Sequence, residues 1–209
     1  LRSPAMSMRN LVGPATVGVA TSTVQRRKGS VEWTHSPDMH HSDDHGAPAL
    51  VAALREAFDS GRTRPLEWRK EQLQALRRLM VERESEIADA LHSDLGKPHL
   101  EAFGTEIAYS IGALDQALKS LSAWMAPDKV KTPLVTQPGK SRIYKDPLGV
   151  VLIIAPWNYP FGLSVGPLIG ALAAGNCAVL KPSEVAPATS SLLARLLPQY
   201  LDGHCIQVV

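Results

Sequence analysis

Apolar positions recur at helical spacing through the first half of the chain, then collapse into short unbroken apolar runs in the second. From Pro48 onward, Leu50, Leu54, Ala57 and Phe58 fall on one helical face, and Ser60-Gly61 closes the segment in a cap-like way. Between Leu66 and Leu95 a second stripe carries Leu73, Leu76, Met80, Ile87 and Leu91. Its opposite face is charged, with Arg69, Lys70, Arg77, Arg78, Glu82, Arg83, Glu84 and Glu86. That pattern predicts one long amphipathic helix with a solvated face; the heptad register is too short and irregular for a coiled coil. Gly96-Lys97-Pro98 breaks it, and a third helix is predicted over 100–125 on Phe103, Ile107, Ile111, Leu114, Leu118 and Leu121. The Pro-, Lys- and Thr-rich segment 126–146 reads as a loop, with alternation at Arg142-Ile143-Tyr144-Lys145 marking an edge strand. Three successive helices make a helical layer with no chemistry of its own.

After Asp146 the character changes abruptly. Residues 147–180 are 34 positions without Asp, Glu, Lys, Arg or His. A stretch of that length is long enough to cross a bilayer, which takes about 20 apolar residues. Gly162, Gly166 and Gly170 even have the spacing of a membrane helix-packing face. The punctuation excludes a span: Pro156, Asn158, Pro160 and Pro167 interrupt the run, and Gly175-Asn176 is a helix stop. With those breaks the run resolves into strand 148–155, a turn, helix 161–174 and strand 177–181. This is a βαβ unit with a parallel sheet buried on both faces, its glycines letting the helix approach the sheet closely. Helix 188–200 and a strand starting over 205–209 repeat the unit once.

Chemistry enters where these strands end. Ligands of open α/β sheets bind outside the carboxyl ends of the strands. Two polar clusters fall there: Ala155-Pro156-Trp157-Asn158-Tyr159-Pro160 after the first strand and Lys181-Pro182-Ser183-Glu184 after the second. Turn chemistry explains the prolines but not the indole and carboxamide between them. A salt bridge between Lys181 and Glu184 is the plain structural alternative for the second cluster. Neither G-x-G-x-x-G nor G-x-x-x-x-G-K-[ST] is present, so the ordinary nucleotide fingerprints are silent.

Composition narrows the class. The 209 residues are 44% hydrophobic and 20% charged, an ordinary globular balance, and a net charge of +2 gives no argument for a nucleic-acid partner. Two cysteines, Cys177 and Cys205, are too few for a disulfide scaffold and fit a reducing compartment. Residues 1–47 do not read as core. Up to Val31 they are basic and hydroxyl-rich with no acidic residue, the composition of an organelle transit peptide or of a plain disordered tail. The His- and Asp-rich run His35–His45 offers metal ligands but no apolar scaffold to fix them, so it reads as a linker and no metal is expected. The chain starts at Leu1 and stops in Ile206-Gln207-Val208-Val209, inside an expected strand, and reads as a fragment.

The apolar blocks resemble the aldehyde dehydrogenase superfamily. The similarity rests on Pro147-Leu148-Gly149-Val150-Val151 leading to Ala155–Pro160, on Gly175-Asn176-Cys177-Ala178-Val179, and on Leu180-Lys181-Pro182-Ser183-Glu184. Glu67-Trp68-Arg69, Asp94-Leu95-Gly96-Lys97-Pro98 and Leu121–Pro127 look most like the class 3 branch, including plant members with plastid-type leaders. The resemblance covers about residues 48–209. It implies an α/β fold: a helical segment over 48–146, then the first βαβ units of a Rossmann-like parallel-sheet cofactor domain over 147–209.

The resemblance also implies roles. Lys181 would hydrogen-bond the adenosine ribose hydroxyls, with Ser183 in the same cluster. Glu184, beside that ribose, would repel a 2′-phosphate and favour NAD over NADP. Main chain of Ile154, Ala155, Pro156 and Trp157 would line the cofactor cleft. Asn158 would donate its side-chain amide to the oxyanion formed when a cysteine thiolate attacks an aldehyde carbonyl; one such donor is worth roughly 10²–10³ in rate. The family's Gly-Gln-x-Cys, Leu-Glu-Leu-Gly-Gly-Lys and Gly-x-Thr-x-x-Gly blocks do not occur in this sequence. Cys177 and Cys205 are therefore expected to be structural, and the chain inactive alone. The implied partners are a small aldehyde and, for a full-length protein, a second copy in a homodimer, in cytoplasm or plastid. A non-catalytic truncated product and an acyl-CoA or acyl-phosphate reductase of the same superfamily are the alternatives.

Overall fold

The computed structural model describes residues 22–27, 30–35 and 46–209. Strands β1 (Ser22–Arg27) and β2 (Ser30–His35) form an antiparallel pair with Ser22 opposite His35. Of the leader expected over 1–47, residues 1–21, 28–29 and 36–45, with the His-rich linker, lie outside the described residues, whereas Gly46 and Ala47 begin a helix.

The second unit, His45–Val209, carries the apolar blocks. Its helical layer consists of α1 (Gly46–Asp59), α2 (Leu66–Glu82), α3 (Glu84–Leu95), the single turn α4 (His99–Ala102) and α5 (Ala108–Met125). The long helix expected over 66–95 is broken. At Arg83 the backbone leaves helical geometry (φ −113°, ψ 20°), so α2 lies against α5 and the later helices α6 (Gly162–Ala174) and α7 (Pro187–Tyr200), while α3 lies against α7 and α4. No glycine or proline marks this break. Arg83 instead forms an ion pair with Glu86 of the next turn (2.7 Å), and tertiary packing overrides propensity. The helix expected over 100–125 is also interrupted, by a π-helical turn at Phe103–Ile107.

A short pair, β3 (Asp128–Val130) and β4 (Ser141–Ile143), leads into the sheet. The sheet is parallel, in the order β5 (Val150–Ile154), β6 (Cys177–Lys181), β7 (Ile206–Val208). Crossover helices α6 (Gly162–Ala174) and α7 (Pro187–Tyr200) join them. Strand β6 is buried along Cys177–Leu180 as expected of a central strand. Strand β5 departs from the expectation of burial on both faces, because Leu152 and Ile154 are 62% and 67% exposed. Alternate side chains of a strand point to opposite faces, so these two mark a face of β5 left open.

The glycines of α6 also need correction. A Cβ at Gly166 or Gly170 would meet nothing within 4 Å, and one at Gly162 would meet Glu106 rather than the sheet. Val165, Leu168, Ile169 and Leu172 are the buried positions of α6, which packs against α2 and α5 as well as against the sheet. Arg69 is likewise not on a solvated face. It is buried, with Nε donating to the Thr63 carbonyl (3.2 Å) and Nη1 to the Ala173 carbonyl (3.1 Å) at the carboxyl end of α6. A guanidinium there satisfies an orphan carbonyl and opposes the negative pole of the helix.

Candidate functional site

The register of the sheet brings the two polar clusters together. Ile154 pairs with Lys181, and the Ala155 N–H donates to the Lys181 carbonyl at 3.0 Å. The turn after β5 and the turn after β6 therefore leave the same carboxyl rim side by side. Pro156, Trp157, Asn158 and Tyr159 are exposed, whereas Ala155 and Pro160 are buried and fix the two ends of the turn. A rigid turn thus presents a carboxamide and an indole to solvent at the ligand-binding edge of a parallel sheet.

That turn is anchored from below by an ion pair. Lys97 Nζ donates to Glu106 Oε1 at 2.5 Å, and the two side chains are 9% and 0% exposed. The other carboxylate oxygen, Oε2, accepts the N–H of Phe161 (3.0 Å) and of Gly162 (2.9 Å). These are orphan donors at the start of α6, which has no capping side chain of its own. A carboxylate at that position both fills the hydrogen-bond deficit and faces the positive pole of the helix. Lys97 Nζ also lies 3.5 Å from the Asn158 carbonyl oxygen and 3.9 Å from the centroid of the Tyr159 ring. One buried pair therefore touches residues 158, 159, 161 and 162.

The helix that follows the second turn is held by the same part of the helical layer. Asp94 Oδ1 accepts the Ala188 N–H at 2.9 Å, and Oδ2 accepts the Thr189 N–H at 2.8 Å and its hydroxyl at 2.7 Å. This caps α7, which starts on Pro187 and lacks a capping side chain of its own. Within the turn, Lys181 Nζ meets Glu184 Oε2 at 2.6 Å, so the plain salt bridge is present. The hydrogen bond from Lys181, the Glu184 main-chain N–H and the Lys181 charge hold the Glu184 carboxyl below its ordinary range. Both side chains remain open to solvent, 43% and 78% exposed, and are reachable by a ligand. Ser183 is buried; its hydroxyl oxygen accepts the Val185 N–H at 3.3 Å and its carbonyl accepts the Ser190 hydroxyl at 2.6 Å. Its bonds shape the turn.

The cysteines are elsewhere. Cys177 begins β6 and Cys205 precedes β7, both at the amino end of the sheet, opposite the rim. Both are fully buried, and the Cys205 thiol is pushed above its ordinary value by its hydrogen bond with Cys177 and by burial. The same contact pulls the Cys177 thiol down, yet both are sealed from water far from the rim and serve as core residues rather than nucleophiles.

Sequence reasoning treated 94–98 only as a helix break and a family block, and it missed Glu106. The available signal was a lone carboxylate between Phe103 and Ile107 on an otherwise apolar stripe. A charge on a buried face needs a buried partner.

An open parallel βαβαβ sheet with two polar turns on one carboxyl rim, and a helical layer clamped to both, defines the class: an α/β ligand-binding domain. The chain matches the profile of the aldehyde dehydrogenase family over residues 31–209. It is 53% identical over 163 residues to aldehyde dehydrogenase family 3 member I1, chloroplastic, of Arabidopsis thaliana, covering 78% of this chain and 30% of that protein. It is 51% identical over 156 residues to family 3 member B1 of Homo sapiens, covering 75% and 33%. The solved substrate-bound AldH of Staphylococcus aureus superposes with a TM-score of 0.76 at 42% identity, covering 78% of this chain and 36% of that one. The chain belongs to the aldehyde dehydrogenase family, and it spans about a third of the length of these relatives.

Proposed function

We propose that the protein carrying this chain oxidises an aldehyde to a carboxylic acid with a nicotinamide dinucleotide, and that this chain supplies part of the cofactor rim and one oxyanion donor. The observation that carries the reading is the pairing of Ile154 with Lys181, which sets Asn158 and the Lys181–Glu184 pair on one edge. Family membership supplies the reaction class.

The exposed cation and carboxylate fit the ribose end of a dinucleotide. Lys181 donates to ribose hydroxyls and Glu184 accepts from them. An ionised Glu184 repels a 2′-phosphate, which favours NAD, with NADP as the second choice. Main chain of Ile154, Ala155, Pro156 and Trp157 would line the cofactor cleft. When bound, the dinucleotide accepts hydride from the substrate carbon.

Asn158 acts on the substrate. As a thiolate adds to the aldehyde carbonyl, its oxygen gains a full negative charge, and a neutral N–H donor already in place stabilises that charge without reorganising. The thiolate comes from a segment other than residues 1–209, because both cysteines here are buried at the far end of the sheet. Homodimer assembly belongs to the same proposal and rests on family membership. Location in a plastid is supported by the acid-free, basic segment up to Val31 and by the chloroplastic relative, with the cytoplasm as the alternative. Among the described residues no helix is long and apolar enough to cross a membrane.

Aldehyde-dependent NADH formation by the full-length protein tests the reaction class. Turnover with a panel of aldehydes supports it; cofactor binding without any aldehyde-dependent reduction contradicts it. A reporter fused to residues 1–47 tests the location.

A further inference from the structure

Asn158 is solvent-exposed on a turn, yet an oxyanion donor must sit within a few tenths of an ångström of its productive position. Something has to fix it. The buried Lys97–Glu106 pair is the structure beneath that turn. It holds the peptide units on both sides of Tyr159-Pro160: Lys97 touches the Asn158 carbonyl oxygen and the Tyr159 ring, while Glu106 binds the main-chain N–H groups of Phe161 and Gly162. The π-helical turn at Phe103–Ile107 carries Glu106 to this point, and such turns are frequent where a helix has been bent to place one side chain. Burying an ion pair brings no net stability over an apolar pair of the same shape, so stability alone does not account for it.

We infer that Lys97, locked by Glu106, is a positioning residue that orients Asn158 for oxyanion stabilisation. This rests on the reading of Asn158 given above. Removing the ammonium leaves the Asn158 peptide free to rotate. The carboxamide then spends less time where charge develops, while α7, which follows the cofactor turn and is capped by Asp94 rather than by Lys97, stays in place.

The test is a double-mutant cycle in the full-length protein, with Lys97→Met and Asn158→Ala singly and together. Lys97→Met is expected to lower kcat by about 10- to 100-fold, with aldehyde KM and NAD Kd within about twofold. In the Asn158→Ala background it should add almost nothing, because Lys97 acts through Asn158. Lys97→Arg keeps a cation against Glu106 and so preserves the fold. If Lys97→Met fails to fold, the cycle is read with Lys97→Arg, which displaces the charge from Asn158 and should lower kcat in the same non-additive way. An unchanged kcat, or an equal loss with and without Asn158, overturns the inference and leaves the pair as a helix cap. Asn158→Ala with wild-type kcat overturns instead the oxyanion reading on which it stands. Slow Asn158→Ala beside unimpaired Lys97 variants overturns the positioning role alone.

Discussion

Asp94 and Thr189 are 95 residues apart in sequence, yet one carboxylate oxygen of Asp94 accepts both the main-chain N–H and the hydroxyl of Thr189. Helix α7 is thus capped by the helical layer rather than by its own preceding residue. Asp94→Ala is expected to destabilise the chain by about 1–2 kcal/mol, the usual loss of an N-cap. Urea unfolding measures it: a fall in midpoint at constant m-value is expected, and Asp94→Asn should recover part of the loss.

The cofactor turn is separable from the oxyanion turn. If Lys181 binds the ribose as proposed, Lys181→Ala removes a charged donor, a contact worth about 1.5–3 kcal/mol, so NAD Kd should rise roughly 10- to 100-fold. The limiting kcat at saturating NAD should change little. On the proposed role of Glu184, Glu184→Gln should narrow or reverse a preference for NAD over NADP, because a charge placed to repel a 2′-phosphate is gone. Titrations of both dinucleotides against the two variants check this.

The order of strands and crossovers was legible in the sequence because short apolar runs bounded by Gly and Pro leave few alternatives; Val150–Ile154 and Cys177–Lys181 stand where the pattern puts them. Long-range polar partners were not legible. Glu106 finds Phe161 55 residues away, and no local pattern encodes that distance. Arg69 reads as one more charge on a polar face, and only the docking of α6 turns it into a buried cap. The spacing of Gly162, Gly166 and Gly170 suggested close sheet packing, yet spacing alone does not say which neighbour a helix face meets. Asn158 was identified through resemblance; its exposure at the rim is consistent with that role, and its anchoring emerged only from the structure.

At the carboxyl end of α6, Gly175 has φ 81°, and a Cβ there would fall 2.6 Å from the Arg69 guanidinium. Gly175→Ala combines left-handed backbone strain with that clash and should cost about 1–3 kcal/mol. In an Arg69→Met background the clash is relieved but the strain persists. The penalty measured by denaturation should therefore shrink without vanishing.

Acid stability should depend on Asp202. Burial raises its carboxyl pKa, but donation from Arg62, Trp68 and the His204 N–H outweighs burial and leaves it below its ordinary value. A depressed folded-state pKa means the unfolded chain binds the proton more tightly. The contribution is then complete above the unfolded value of about 3.9 and is lost as pH falls through the folded one. Asp202→Asn should lower stability at neutral pH and flatten its decline below about pH 4, read from unfolding midpoints across pH.

The central claim is that Asn158 stabilises negative charge on the substrate oxygen. Single-turnover NADH formation by the full-length protein, with cofactor saturating, isolates that step from product release. For Asn158→Ala the hydride-transfer rate should fall roughly 10²–10³-fold while NAD Kd stays within about twofold of wild type. A single-turnover rate equal to wild type would contradict it.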